Sequence, residues 1–144
     1  RRRALPIAWT WVCVAKGHSS AWKQAALLSY VHKLMPPQVT VILTGDSEFT
    51  PLQAQLERWG WFYVLRQKGS HLYLLHPDQP WRRVESLLDH SGQRCWLSAI
   101  ELTEQRRRPC NFLAYWRPGE KQPCLLATNL PSARQTLQQY KVRA

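Results

Sequence analysis

Val39-Thr40-Val41-Ile42-Leu43-Thr44-Gly45-Asp46 runs directly into Ser47-Glu48-Phe49-Thr50-Pro51, and the fold turns on that junction. The first part is β-branched and apolar, which suits a strand covered on both faces. The second part is turn-forming and opens a helix. Thr50 can cap it, Pro51 suits its first position, and Gln53 completes a capping box. Leu52, Leu56 and Trp59 then share one face, and Gly60 ends the helix. Trp61 to Arg66 reads as the next strand. Residues 39–66 are therefore expected to form a β-α-β unit, right-handed and with parallel strands. Asp46 would stand at the carboxyl end of the first strand, where the loops of open α/β sheets converge on a crevice.

Outward from that unit, Ala4 to Val14 alternates enough to be a strand, and Gly17-His18-Ser19-Ser20 breaks it and supplies a cap. Ala21 to Met35 carries Leu27, Leu28, Val31, Leu34 and Met35 at helical spacing, and Pro36-Pro37 stops it. After Gln67-Lys68-Gly69-Ser70 the texture changes. His71–Leu75, Trp81–Val84, Arg94–Leu102 and Asn111–Trp116 read as short strands between Pro- and Gly-containing turns. Cys124 to Thr128 is a further strand, and Pro131-Ser132 opens a last helix. The organisation expected is an α/β core over 1–70, a β-rich insertion over 71–122, and a return strand and helix over 123–144.

A chain of 144 residues with 44% hydrophobic residues can bury a core and makes one domain rather than a disordered segment. Its formal net charge of +11 and pI near 10.1 imply a polyanionic partner, for which nucleic acid is the commonest. The plain alternative is a basic protein with no such partner. Apart from Arg1–Arg3 and Arg106–Arg108 the cations are dispersed, so this is not a disordered basic tail. No apolar run is long enough to span a bilayer. The four cysteines form no C-x-x-C pair, which argues against structural zinc and for packed free thiols. The opening Arg1-Arg2-Arg3, with the only methionine at Met35, leads us to expect a piece of a longer protein.

On the residues alone, Asp46 is either a metal ligand or a turn-forming, helix-capping Asp. Glu48 would fall on the same side as Asp46 if the segment were extended, and would otherwise be a solvated turn residue. Arg66, Lys68 and His71 flank the strand leaving the core and could meet backbone phosphates. Tyr140 and Arg143, three apart on a helix, share a face. Trp9, Trp11, Trp59 and Trp61 are expected on core elements, and Trp81, Trp96 and Trp116 in the insertion.

The order of elements, with the stretches Arg3–Trp9, Lys16–Ser20, Leu43–Phe49, Trp59–Arg66, Leu113–Lys121 and Leu125–Pro131, resembles the insertion-sequence DDE transposases of the insertion-sequence-four type. That resemblance implies a ribonuclease H-like mixed sheet with flanking helices, interrupted by a β-rich insertion. It implies metal-dependent cleavage and transfer of DNA strands, using two Mg²⁺ (or Mn²⁺) ions in the complete enzyme. Asp46 matches the second acid of the catalytic triad, while Tyr140 and Arg143 match the start of a Y-x-x-R-x-x-x-E signature. The Glu of that signature would fall past Ala144 and the first acid before Ala4, so one acid of three is expected in this chain. Ser47 stands where the family often has Arg. The partners implied are double-stranded DNA at transposon ends and a second subunit in a synaptic complex, with no membrane. The implied place is cytoplasmic and nucleoid-associated. The rival readings are a non-catalytic basic DNA-binding remnant and another ribonuclease H-like nuclease.

Overall fold

The computed structural model describes residues 6–10, 19–103 and 108–143. The chain divides into two compact units, Arg1–Thr40 and Val41–Ala144. In the first, helix α1 spans Ala21–Leu34, within a residue of the expected bounds. Ser20 precedes it in an extended conformation, but its side chain makes no capping hydrogen bond. The Gln24 amide instead reaches back to the Ser19 hydroxyl at 2.7 Å. Met35 turns extended before Pro36, as the ring of a following proline demands. The strand expected over Ala4–Val14 is not formed over residues 6–10, which have no regular structure and leave Trp9 exposed rather than packed. An alternating pattern becomes a strand only with a hydrogen-bonded neighbour. The rest of that stretch, with Trp11, lies outside the described residues.

The second unit is built on one seven-stranded mixed sheet. Strands β1 (Ile42–Gly45) and β2 (Phe62–Arg66) are parallel, in the register Ile42↔Phe62 to Gly45↔Leu65. The other strands are β3 (Leu72–Leu74), β4 (Arg82–Arg83), β5 (Arg94–Leu102), β6 (Arg108–Tyr115) and β7 (Cys124–Thr128). The sheet order is β1-β2-β7-β6-β5-β3-β4, and every pairing other than β1 with β2 is antiparallel. The strands of 71–122 are thus hydrogen-bonded into the same sheet as β2 and β7. With α2 (Gln53–Arg58) and α3 (Ala133–Arg143), the described residues make a mixed α/β fold with three α-helices.

Between β1 and β2 the helix does not begin at a Thr50 capping box. A 3₁₀ turn runs over Ser47–Leu52, and α2 follows from Gln53. Thr50 is buried, and its hydroxyl is engaged by the side chain of Gln67, 17 residues on, at 3.1 Å. That long-range bond takes the oxygen a cap would have used. Gly60 ends the helix with φ +69°, a conformation that costs glycine little.

Side chains alternate across the strands and so divide between two faces. Val64, Leu113 and Leu126 face α3, packing with Leu130 and Ala133. Phe112, Ala114, Leu125 and Ala127 face the other way, packing with Tyr73, Val84 and Leu88. Tyr63 and Leu65 alternate with Val64 and take the face carrying α2, where the Tyr63 hydroxyl donates to Glu57 at 3.1 Å. Trp96 and Trp116 pack against these two clusters, and Trp61 is buried.

Candidate nucleic-acid interface

Asp46 is the first residue beyond β1 and is exposed. Its backbone is extended (φ −91°, ψ 176°), and its carbonyl accepts the Phe49 N–H at 3.1 Å, closing the 3₁₀ turn. Gly45 makes that turn possible, because a Cβ there would lie 2.8 Å from the Phe49 ring. Phe49 can therefore fold back over the end of β1, while Asp46 stays exposed. Glu48 is exposed too, but it lies within the 3₁₀ turn. The segment is helical, so the alternation that would have set Glu48 beside Asp46 does not apply.

Parallel pairing fixes what lies next to Asp46. Gly45 is paired with Leu65, so Asp46 and Arg66 are the next residues out of two adjacent strands, at the same end of the sheet. β7 runs antiparallel to β2, with Arg66 paired to Leu126, which brings the start of β7 to that end as well. α3 begins beyond the opposite end of β7 and runs back along the sheet, packing on β1, β2 and β6. Tyr140 is thereby returned to the Arg66 end, where both line a cleft of about 300 Å³ with Arg117, Gln122, Cys124 and Lys141. Arg143 ends α3 three residues on from Tyr140, and its side chain lies outside what is described.

A second cleft, of about 460 Å³, lies between the loop leaving β2 and the loop entering β7. It is lined by Arg66, Gln67, Lys68, Gly69, Glu85 and Gln122 among others, so Arg66 belongs to both clefts. Arg66, Lys68, Arg117 and Lys141 bring four cations to these walls, against Glu85 and Glu120. Glu85 is also drawn to Arg83 at 3.3 Å. The clefts are therefore net positive. Inside the first, burial pushes the Cys124 thiol up, while the Tyr140 hydroxyl and the Arg66 charge pull the other way. Cys124 is thus a protonated wall residue, and Cys95, Cys110 and Cys124 are free thiols as expected.

Arg66, Lys68, Tyr140 and Asp46 come from three separate stretches of chain and are gathered at one end of the sheet. Arg117, Gln122 and Lys141 join them without having been singled out. The signal for Arg117 and Gln122 was present: once β6 and β7 are read as an antiparallel pair, residues 116–123 must turn at the carboxyl end of β2.

A pair of Mg²⁺ ions needs several oxygen ligands, with carboxylates from separate elements to offset the charge. Among the described residues no group of three or more His, Cys, Asp or Glu is assembled that could hold a metal ion. Asp46 offers one carboxylate at the strand end, and Glu48 follows on the turn. By themselves these residues do not fit a two-ion site. Among the described residues no helix is long and apolar enough to cross a membrane. Comparison with family models, curated proteins and solved structures gives no match.

Proposed function

We propose that this chain is the central part of an insertion-sequence DDE transposase, with a ribonuclease H-like core that grips DNA at the carboxyl end of β1 and β2. The observation that carries the reading is the parallel β1–β2 pair, with Asp46 and Arg66 leaving it side by side and Tyr140 returned by α3 to the cleft that Arg66 lines. Arg66, Lys68, Arg117 and Lys141 would meet backbone phosphates, where guanidinium groups can bind in bidentate fashion. Asp46 is one of three acids on this reading. The other two, and the two-ion chemistry they would support, belong to residues outside these 144, as does dimerisation on transposon ends in the nucleoid. The 144 residues should therefore bind DNA without cutting it.

The single carboxylate at the strand end also favours a second reading, a non-catalytic DNA-binding module of the same architecture. Duplex affinity, followed by fluorescence anisotropy between about 50 and 200 mM salt, tests both. Binding that falls linearly with log salt is expected. Arg66→Ala with Lys68→Ala should reduce the slope by about two, roughly one for each phosphate no longer neutralised. Affinity indifferent to salt would sink both readings. Mg²⁺-strengthened binding that Asp46→Asn abolishes favours the transposase reading, and indifference to both favours the module. Mg²⁺-dependent cleavage by the isolated chain, lost in Asp46→Ala, would overturn the claim that the chain cannot cut.

A further inference from the structure

Gln67 is buried where β2 ends, and its amide is held on both sides. Nε2 lies 3.1 Å from the Leu65 carbonyl, an oxygen that can only accept, so the nitrogen must face it. That fixes the amide orientation and turns Oε1 toward His71, whose Nδ1 is 2.8 Å away. An amide oxygen is also only an acceptor, so Nδ1 must carry the hydrogen. A backbone carbonyl thus sets the amide, and the amide sets the imidazole tautomer. Nε2 of His71, on the far side of the ring, is left with a lone pair and points away from the buried amide.

Charges of both signs stand near the ring, and the Glu85 carboxylate lies against Gly69 of the same loop. Lys68 lies in the same loop, and the His71 carbonyl accepts the Val84 N–H at 2.8 Å, which brings up the segment carrying Arg83 and Glu85. Those two are paired with each other at 3.3 Å. The 3₁₀ turn reaches Gln67 through Thr50 and has Glu48 as its charged residue, exposed to solvent. No described carboxylate forms an ion pair with the ring. Burial, with Lys68 second, lowers its pKa, so the free protein carries a neutral imidazole near neutrality. The loop Arg66–His71 therefore holds two permanent cations and one imidazole that is uncharged while no anion is present.

We propose that Nε2 of His71 meets a backbone phosphate oxygen of bound DNA and takes up one proton from solvent as it does so, making DNA binding by this loop proton-linked. The proposal rests on the DNA-binding reading above. The bond to Gln67 survives the change, since Nδ1 donates in both the neutral ring and the imidazolium. The phosphate offsets the repulsion of Lys68 and favours the charged form. Gln67 is a positioning residue, holding the ring so that the nitrogen that titrates is the outer one.

The test is duplex affinity against pH, from about pH 6 to pH 8, for the native chain and for His71→Gln. Glutamine can still donate to Gln67 but cannot titrate. The native chain should gain affinity as pH falls, by at most roughly tenfold per pH unit for one proton taken up. His71→Gln should gain much less. Nitrogen-15 spectra of the free chain should show the Nδ1–H tautomer at His71, converting to imidazolium when duplex is added. An equal pH slope in His71→Gln, or a ring that stays neutral in the complex, overturns this proposal alone. No salt-dependent binding at any pH overturns it together with the reading it rests on.

Discussion

The two ends of β2 are built on opposite principles. At the amino end several backbone groups of the sheet are closed off by side chains from other elements. Asn129 accepts the Tyr63 N–H at 2.8 Å and donates to the Trp61 carbonyl at 3.0 Å, standing in for a strand neighbour. Thr128 donates to the Tyr63 carbonyl at 2.6 Å, and Asn111 ties the Leu130 carbonyl at 2.9 Å to the Ala99 N–H at 3.1 Å. Glu57 receives both the Tyr63 hydroxyl, at 3.1 Å, and Arg108, at 3.2 Å. At the carboxyl end Arg66, Lys68, Arg117 and Lys141 stand around two open clefts. The ion pairs Arg83–Glu85 and Arg108–Glu57 use none of the four. A fold closes the polar groups it needs for stability and leaves open those it offers to something else, so the amino end should govern stability and the carboxyl end binding.

Asn129→Ala gives that division its hardest test. It strips two partners from the backbone at the start of β2, in a half-buried position. The expected loss is about 2–4 kcal/mol, since each unsatisfied group costs about 1–3 kcal/mol. Urea denaturation measures it, and DNA affinity of the folded fraction should be unchanged. Affinity that falls in step with stability would show that the two ends are one site.

Much of this architecture was legible in the chain. The Val39–Gly45 run, the glycine at 60 and the Trp61–Arg66 run gave a parallel pair because each signal was local and agreed with the next. Arg94–Leu102 and Cys124–Thr128 were legible to the residue. β6 was not: it starts at Arg108 rather than Asn111, with Pro109 inside it. Pro109 is tolerated because β7 pairs with β6 only from Asn111 onward, so one side of the strand needs no donor there. Thr50 looked like a cap because local rules say so, and Gln67 overrode them from 17 residues away. Asp46, Arg66, Lys68 and Tyr140 could each be named from sequence, whereas Arg117 needed the register of β6 and β7, and Lys141 the return of α3 along the sheet. Pairing registers and long-range side-chain bonds are set by the whole fold, and no window of sequence contains them.

A smaller effect is expected from Tyr63→Phe. The Tyr63 ring is fully buried, and its hydroxyl pKa is driven upward chiefly by that burial. It therefore acts as a neutral donor to Glu57 throughout the accessible pH range. Removing it keeps the packing and deletes one hydrogen bond to a carboxylate that retains Arg108. A loss of about 1–2 kcal/mol in urea is expected. A loss as large as that of a core truncation would mean that the Glu57 cluster does more than close the sheet's end.

The smallest effect belongs to the open end and concerns acid. The folded pKa of His71 lies below its ordinary value, chiefly through burial and then through Lys68. As pH falls through the unfolded value, near 6.5, the unfolded chain takes up a proton that the folded chain still refuses. Stability is therefore full above that pH and declines toward the folded pKa, below which this group adds no further loss. His71→Gln should flatten that limb of the stability–pH curve and leave the neutral plateau where it was. Free and bound protein then respond to the same ring with opposite signs, acid weakening the fold while strengthening the complex. A denaturation series across that pH range, with and without duplex, separates the two. If duplex fails to reverse the sign in the native chain, His71 is a buried imidazole belonging to the closed part of the molecule, and the boundary between the two ends moves inward to Lys68.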